Sequence, residues 1–208
     1  MEKSNIHEKI KLLTGSGMWH TQEVEDLPSV HLSDGPHGLR KQEEKERQNN
    51  VSLVSTCYPT ASALACSWDV TAAERLGRAV AKEAWNADVA VLLGPGINMK
   101  RSPLCGRNFE YFSEDPFLAG RLGAAYVSAA QGEDVAVSLK HFAANNQETN
   151  RQTSNSQIDE RALREIYLSA FEYVVKTARP ATIMASYNRL NGYYACENRH
   201  LLTEILRE

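Results

Sequence analysis

The chain has 208 residues and a formal net charge of −3, with 42% hydrophobic and 24% charged residues. This length is enough for one substantial domain with a hydrophobic core, and the composition is that of an ordinary globular protein. The absence of a basic field argues against nucleic acid as a partner, and no apolar run reaches the roughly 20 residues that a membrane-spanning helix needs.

The sequence begins with MEKSNIHEKIKLL, which has the pattern of an amphipathic helix and lacks the apolar stretch of a signal peptide. We therefore expect a cytoplasmic protein. The four cysteines contain no CxxC pair, so their spacing predicts free thiols in a reducing compartment rather than a zinc site. They are Cys57, Cys66, Cys105 and Cys196.

Four segments combine helical apolar spacing with residues that favour helix ends. They are residues 70–85, preceded by Asp69; 116–131, which is preceded by Asp115 and begins with Pro116; 160–178, preceded by Asp159; and 199–207, preceded by Asn198. The polar segments 40–50 and 143–158 predict exposed loops.

Three short apolar runs, at 89–94, 135–139 and 182–186, predict buried strands. Strands that alternate with helices indicate an α/β fold with a parallel sheet. An open sheet of this kind usually carries a nucleotide-binding fingerprint, and the sequence contains neither GxGxxG nor a P-loop. A (β/α) barrel is therefore favoured over an open sheet.

Polar side chains gather where the predicted strands end, which is where parallel α/β folds bind ligands. Lys140 and His141 follow the strand 135–139 directly, and Arg107 lies in the loop after the strand 89–94. The residues placed at this edge of the sheet are Asp34, Arg107, Lys140, His141, Met184 and Tyr187.

The stretch HLSDGPHGLR, residues 31–40, leaves three roles open for Asp34. It could attack a substrate, bind one, or shape a turn. Gly35 and Pro36 are turn-forming residues, because glycine permits unusual backbone angles and proline restricts φ. The simplest interpretation is a structural turn in which Asp34 pairs with Arg40.

The segment SLKHFAANNQETNR, residues 138–151, concentrates hydrogen-bond donors in a small volume. Lys140, His141 and Arg151 suit sugar hydroxyls and equally suit phosphate, so this segment alone does not identify the ligand. Tyr187 offers a ring and a hydroxyl that could contact a sugar, or it could be a core tyrosine.

Seven stretches in register resemble glycoside hydrolase family 3, the β-glucosidase-type enzymes, over nearly the whole chain. Four of them are SDGPHGLRK (33–41), GPGINMKRSPLCGRNFEYFSEDPFLAG (94–120), VAVSLKHFAANNQETNR (135–151) and IMASYNRLNG (183–192). The resemblance implies an amino-terminal (β/α)8 TIM-barrel-type domain, of which residues 1–208 would form roughly the first two-thirds.

The resemblance also implies a −1 subsite for a terminal β-D-glucosyl residue of a β-glucoside, or for glucose. Asp34, supported by Arg40, would accept hydrogen bonds from sugar hydroxyls, and Met184 and Tyr187 would line the wall near the reacting carbon. The remaining cationic residues would donate to hydroxyls or orient carboxylates, and they are Arg107, Lys140, His141 and Arg151. The reaction requires no metal and no organic cofactor.

The catalytic groups of this family are expected beyond residue 208. The nucleophile is an aspartate in a Ser-Asp-Trp-type motif on the next strand, and the general acid is a glutamate in a later domain. The Ser-Asp pair in this sequence is at 33–34. We therefore expect that the 208-residue chain binds sugar without cleaving it and needs the rest of the enzyme as a partner. Its open strand edges would make it marginally stable or aggregation-prone.

Two other functions stay open at this point. The chain could be a non-catalytic carbohydrate-binding or interaction protein that shares the same fold. It could instead be an unrelated α/β enzyme that handles phosphate through Lys140, His141 and Arg151. Glucose, galactose and xylose are not distinguished by these motifs.

Overall fold

The computed structural model describes residues 6–24, 26–42 and 51–208 of the chain. Most of the predicted loop 40–50 therefore lies outside the described residues. The strands are β1 (Leu32–Asp34), β2 (Val91–Leu93), β3 (Ala136–Phe142), β4 (Asn155–Ser156), β5 (Thr182–Ala185), β6 (Arg189–Leu190) and β7 (Tyr193–Tyr194). The α-helices are α1 (Ile6–Lys11), α2 (Ala61–Ala65), α3 (Val70–Asn86), α4 (Pro116–Gln131), α5 (Glu160–Ala162) and α6 (Ser169–Ala178).

The main sheet of the described residues has the order β1-β2-β3-β5, and every neighbouring pair is parallel. Strands that follow one another along the chain are thus neighbours in space, with helices between them, as in a (β/α) barrel. The register places Leu32 beside Val91, Leu92 beside Val137, and Leu139 beside Ile183. The carboxyl ends of these strands therefore meet at one edge.

Strand β3 is longer than the apolar run 135–139 indicates. It continues to Phe142, so Lys140 and His141 lie inside the strand and are buried, rather than following it. The predicted strand was too short because lysine and histidine are rarely buried in a strand unless they have partners. Those partners come from distant segments of the chain.

The predicted helix ends are confirmed by side-chain hydrogen bonds. Asp69 Oδ1 accepts from the backbone N–H of Thr71 at 2.8 Å, and Asp115 Oδ1 accepts from Phe117 at 3.0 Å. Asn198 Oδ1 accepts from Leu201 at 3.1 Å at the start of the last helical segment, His200–Ile205. These bonds satisfy N–H groups that have no partner inside the helix.

The helix predicted at 160–178 is helical throughout but contains a π-helical turn, Leu163–Leu168, between α5 and α6. The segment His200–Ile205 is also π-helical. The turn changes the buried face: Leu163 and Leu168, five residues apart, are buried, whereas Ile166 and Tyr167 are only partly buried. Apolar spacing read at the α-helical period does not predict such a turn.

Two further differences concern the ends of the described chain and its second polar loop. Helix α1 has no buried residue, so the amphipathic pattern of this segment does not pack on the described core. The predicted loop 143–158 contains β4, which pairs with β6 in a small second sheet.

The turn predicted at Asn191 and Gly192 is confirmed. These residues, with φ of 51° and 98°, connect β6 to β7.

Helix α4 packs between α3 and α6, and the close approach of α3 and α4 depends on Gly77. A Cβ atom at this position would lie 2.5 Å from the carbonyl oxygen of Tyr126 on α4. We expect Gly77→Ala to separate the helices and lower the free energy of unfolding by about 1–3 kcal/mol, despite the better helix propensity of alanine. Denaturant titration of both proteins measures this difference.

Gly120 on α4 provides the matched control. Its Cβ would lie 3.4 Å from the side chain of Tyr173, which is van der Waals contact rather than a backbone clash. Gly120→Ala should leave stability unchanged or raise it by up to about 1 kcal/mol. Equal effects of the two substitutions would contradict the packing explanation for Gly77.

His200 links the last helical segment to α5. Its Nδ1 lies 2.9 Å from Glu204 Oε2, and its Nε2 lies 3.1 Å from Glu160 Oε2. The hydrogen bonds to Glu204 and Glu160 raise the pKa of His200. The protonated ring therefore stabilises the fold below the ordinary histidine pKa of about 6.5, and this stability is lost as the pH rises through the raised value.

We expect His200→Gln to reduce the stability of the chain more at pH 5.5 than at pH 8. Thermal unfolding of both proteins at the two pH values measures this difference. Lys176→Gln, which removes a surface ion pair with Glu172 and no histidine, serves as the control and should cost the same at both values. A His200→Gln effect that is independent of pH would argue against the protonated bridge.

Candidate functional site

Charged and hydrogen-bonding side chains converge at the carboxyl edge of the main sheet. Strand β1 ends at Asp34, β3 carries Lys140 and His141, and the segments after β2, β3 and β5 supply the remainder. We call these residues the strand-end cluster. Its members are Asp34, Arg107, Glu110, Tyr111, Lys140, His141, Asn145, Glu148, Arg151 and Tyr187.

Asp34 lies at the start of a tight turn that depends on Gly35. Gly35 has φ of +121°, and a Cβ there would lie 2.0 Å from the carbonyl oxygen of Gly38. The turn returns the chain so that the backbone N–H of Arg40 donates to the carbonyl oxygen of Asp34 at 2.8 Å. The predicted turn at this position is therefore confirmed.

Asp34 and Arg40 pair through their backbones, and their side chains form no ion pair. The carboxylate of Asp34 instead lies 3.6 Å from the ammonium of Lys140, measured from Oδ1 to Nζ. Arg40 contacts Asp34 through its backbone, and its side chain is exposed. Strand β3 brings Lys140 close to Asp34, and nothing local to residues 31–40 indicates that contact. A third of the Asp34 side chain (33%) stays exposed and open to a ligand.

Sequence reasoning missed Glu110, the most buried carboxylate of the cluster. Its side chain is 4% exposed, and Oε2 lies 3.4 Å from Nζ of Lys140, which is itself 3% exposed. Its Oε1 accepts a hydrogen bond from Nε of Arg107. Glu110 thus pairs with two of the predicted binding residues, as buried charges require. An acid between Phe109 and Tyr111, three residues after an arginine, was the available signal.

Hydrogen bonds fix both the backbone and the ring of His141. Asn98 accepts from the His141 backbone N–H and donates to its carbonyl oxygen, both at 2.8 Å. The ring nitrogen Nδ1 lies 2.9 Å from the hydroxyl of Tyr111. Burial lowers the pKa of His141, and together with the positive charges of Arg107, Lys140 and Arg151 it brings the value to about 2. His141 is therefore neutral at physiological pH and cannot be a cation in the site.

Arg151 connects the inner part of the cluster to its exposed rim. Its NH1 lies 2.9 Å from Glu148 Oε2, and its guanidinium lies 4.9 Å from the centroid of the Tyr187 ring. The second contact is a cation–π interaction, which orients the ring of Tyr187. That ring is 54% exposed, so Tyr187 is not the core tyrosine that the sequence left open.

Met184 lies on β5 directly beside Lys140 in the parallel register and is half-buried. His37, in the turn after β1, places its ring edge-to-face on Phe109 with centroids 5.5 Å apart. Burial lowers the pKa of His37, Glu110 opposes this effect and Lys140 adds to it. Met184 and His37 thus flank the charged centre of the cluster.

Within residues 6–24, 26–42 and 51–208, histidine, cysteine and acidic side chains form no group of three or more that could hold a metal ion. The helices of this same part of the chain also lack the length and apolar character that crossing a bilayer requires. The cluster itself combines cations, carboxylates, amides and aromatic rings, which suits a polar ligand with many hydroxyl groups.

The family described as Glycosyl hydrolase family 3 N terminal domain matches residues 33–208. The chain is 52% identical to "Thermostable beta-glucosidase B" of Acetivibrio thermocellus, over 100% of this chain and 28% of that protein. It is 49% identical to "Exo-alpha-(1->6)-L-arabinopyranosidase" of Bifidobacterium longum, over 98% of this chain and 28% of that protein.

A solved structure of a β-glucosidase is also similar to this chain. The chain matches the crystal structure of beta-glucosidase from Kluyveromyces marxianus in complex with glucose, with a TM-score of 0.93 and 43% identity. The match covers 99% of this chain and 24% of that protein. The predicted fold class, a TIM-barrel-type α/β domain present in part, is thereby confirmed. The chain spans less than a third of the length of each of these relatives.

Proposed function

The chain belongs to glycosyl hydrolase family 3, and from this premise we propose that it forms the sugar-binding part of a retaining β-glucosidase-type enzyme. The substrate would be a terminal β-D-glucosyl residue. The observation that carries the proposal is the strand-end cluster, in which Asp34 stays open beside buried cations. The glucose complex of the Kluyveromyces relative supports the choice of sugar.

The charges of the cluster suit hydroxyl recognition. Lys140 contacts two carboxylates, with Nζ 3.6 Å from Asp34 and 3.4 Å from Glu110. An ionised carboxylate accepts hydrogen bonds without donating any. In our proposal Asp34 accepts from two sugar hydroxyls, and His141 and Arg107 donate to others. Tyr187 and Met184 would border the sugar ring.

Two carboxylates of the cluster, Glu110 and Glu148, hold cations and are not free to react. Glu110 is enclosed by Arg107 and Lys140, and Glu148 pairs with Arg151. A retaining glycosidase needs a nucleophile and an acid with carboxyl groups about 5 Å apart at the scissile bond. We therefore propose that the cluster binds and orients the sugar, while other residues of the whole enzyme supply these two groups.

Titration of the ¹⁵N-labelled chain with glucose tests the binding role by NMR. We expect saturable shifts of the amide signals of Asp34, Lys140 and His141. Inorganic phosphate and L-arabinopyranose are titrated in parallel, because the residues alone fit phosphate and because one relative is named for arabinopyranoside cleavage. Saturable binding of phosphate without glucose would overturn the proposal, and tighter binding of L-arabinopyranose would reassign the sugar.

An assay with an aryl β-glucoside separates binding from cleavage. We expect the 208-residue chain to bind glucose and release no aryl alcohol. Turnover that is abolished in Asp34→Asn would contradict the division of roles proposed for the cluster. Glucose binding with no turnover in any longer form of the protein would favour the alternative, a carbohydrate-binding protein without catalysis.

A further inference from the structure

Four side chains of the strand-end cluster form a continuous series of hydrogen bonds that ends at His141. Glu148 Oε1 lies 3.0 Å from Asn145 Nδ2, which also lies 2.9 Å from the hydroxyl of Tyr111. That hydroxyl lies 2.9 Å from Nδ1 of His141. Tyr111 and His141 are 0% and 2% exposed, so water does not substitute for these contacts.

The first bond of the series has a defined direction. The carboxylate of Glu148 only accepts hydrogen bonds, and its other oxygen is held by Arg151 at 2.9 Å. Asn145 must therefore turn its NH2 group toward Glu148. The opposite orientation would place the amide oxygen against a carboxylate. The NH2 group carries two hydrogens, and the second one points to Tyr111.

The donor-to-acceptor direction of this first bond also determines the direction of the bonds from Asn145 to Tyr111 and from Tyr111 to His141. Because Asn145 donates to the Tyr111 hydroxyl, that oxygen acts as an acceptor and its own hydrogen is left for another partner. Within the described part of the chain, that partner is Nδ1 of His141. If Nδ1 carried a hydrogen instead, the buried tyrosine hydrogen would have no acceptor, which costs about 1–3 kcal/mol.

From these directions we infer that Glu148, Asn145 and Tyr111 are positioning residues that hold His141 in its Nε2–H tautomer. The ring therefore offers a hydrogen-bond donor at Nε2 and no acceptor. Asn98 hydrogen-bonds to both the backbone N–H and the carbonyl oxygen of His141 and so fixes the backbone that carries the ring. The low pKa of the buried ring agrees with a neutral imidazole.

The use of this donor rests on the proposed function, whereas the tautomer does not. A sugar hydroxyl needs a partner for its oxygen as well as for its hydrogen. In that proposal the partly exposed Asp34 supplies the acceptor, and His141 supplies an uncharged donor beside the cations Arg107 and Lys140. Because the Tyr111 hydroxyl fixes Nε2 of His141 as a donor, the site disfavours ligands that present a hydrogen-bond donor to Nε2.

Long-range ¹H–¹⁵N spectra of the histidine rings in the full chain test the inference. The His141 signals are identified by their loss in His141→Gln. We expect Nδ1 to be unprotonated and Nε2 to be protonated. In Tyr111→Phe the ring loses its bias, so the two nitrogen shifts should move toward each other. Glu148→Gln preserves packing and should bring the two nitrogen shifts closer by a smaller amount. It is the substitute test if Tyr111→Phe does not fold.

Tyr126→Phe is the matched control, since Tyr126 is equally buried and its hydroxyl has no hydrogen-bond partner among the described residues. It should leave the His141 nitrogen shifts unchanged. A protonated Nδ1 in the unmodified chain would overturn the inference, and so would nitrogen shifts that stay the same in Tyr111→Phe. Glucose addition then separates the two claims. A tautomer as inferred, with no response of Nε2–H to glucose, would refute the proposed function and leave the positioning role intact.

Discussion

Glu110→Gln should lower the free energy of unfolding by about 3–5 kcal/mol, which is the usual cost of removing one partner from a buried ion pair. The substitution keeps the shape of the side chain and removes its charge. Arg107 then loses its carboxylate partner within the described cluster, and Lys140 keeps only the partly exposed Asp34. For a chain of this size the loss corresponds to a melting temperature lower by roughly 6–20 °C.

Glu133→Gln is the matched control for this prediction. Glu133 also pairs with two cations, Arg78 at 3.2 Å and Lys82 at 3.9 Å, but the three side chains are 27% to 61% exposed. Exposed pairs contribute about 0–1 kcal/mol, so this variant should unfold close to the unmodified chain. Equal melting temperatures for the two variants would show that Glu110 is not the charge partner that we describe.

Asp34→Asn should weaken glucose binding about tenfold or more while changing stability little. A hydrogen bond to a charged group contributes about 1.5–3 kcal/mol, and asparagine removes the charge and presents only one oxygen acceptor. The fold tolerates the change because Glu110 still pairs with Lys140 and the backbone contact with Arg40 is kept. The dissociation constant from glucose titration measures the effect.

Asp69→Asn provides the same substitution outside the site. Asp69 begins α3, where asparagine caps a helix as well as aspartate does. Its glucose affinity should equal that of the unmodified chain. Unchanged affinity in Asp34→Asn as well would remove Asp34 from the binding site, whereas loss of affinity in both variants would indicate a general effect of lost negative charge.

Local signals predicted the helices well. Helix α4 runs from Pro116 to Gln131 as the sequence indicated, because its first N–H groups are satisfied by Asp115, one residue away. The turn at Gly35 was equally predictable, since its backbone angle excludes a side chain. In both cases the deciding interaction lies within a few residues along the chain.

The site was predictable in part. Lys140 and His141 were located at the correct edge of the sheet, although the strand that carries them continues to Phe142. The side-chain contact of Asp34 with Lys140 was not predicted, and Glu110 and the hydroxyl of Tyr111 were missed. The contacts of Lys140 with Asp34 and Glu110, and that of Tyr111 with His141, join residues 30 or more positions apart. Sequence spacing carries no information on such contacts unless a related fold is already known.

The amino-acid sequence by itself determined the alternation of strands and helices, the caps, the turn at Gly35 and the family to which the motifs belong. These depend on backbone sterics, apolar periodicity and short-range hydrogen bonds. Only the tertiary structure decided which charges meet. Parallel strands bring Asp34 and Lys140 to one edge. Burial there makes Glu110 a necessary partner of Lys140, because charges removed from water are stable only when they are paired.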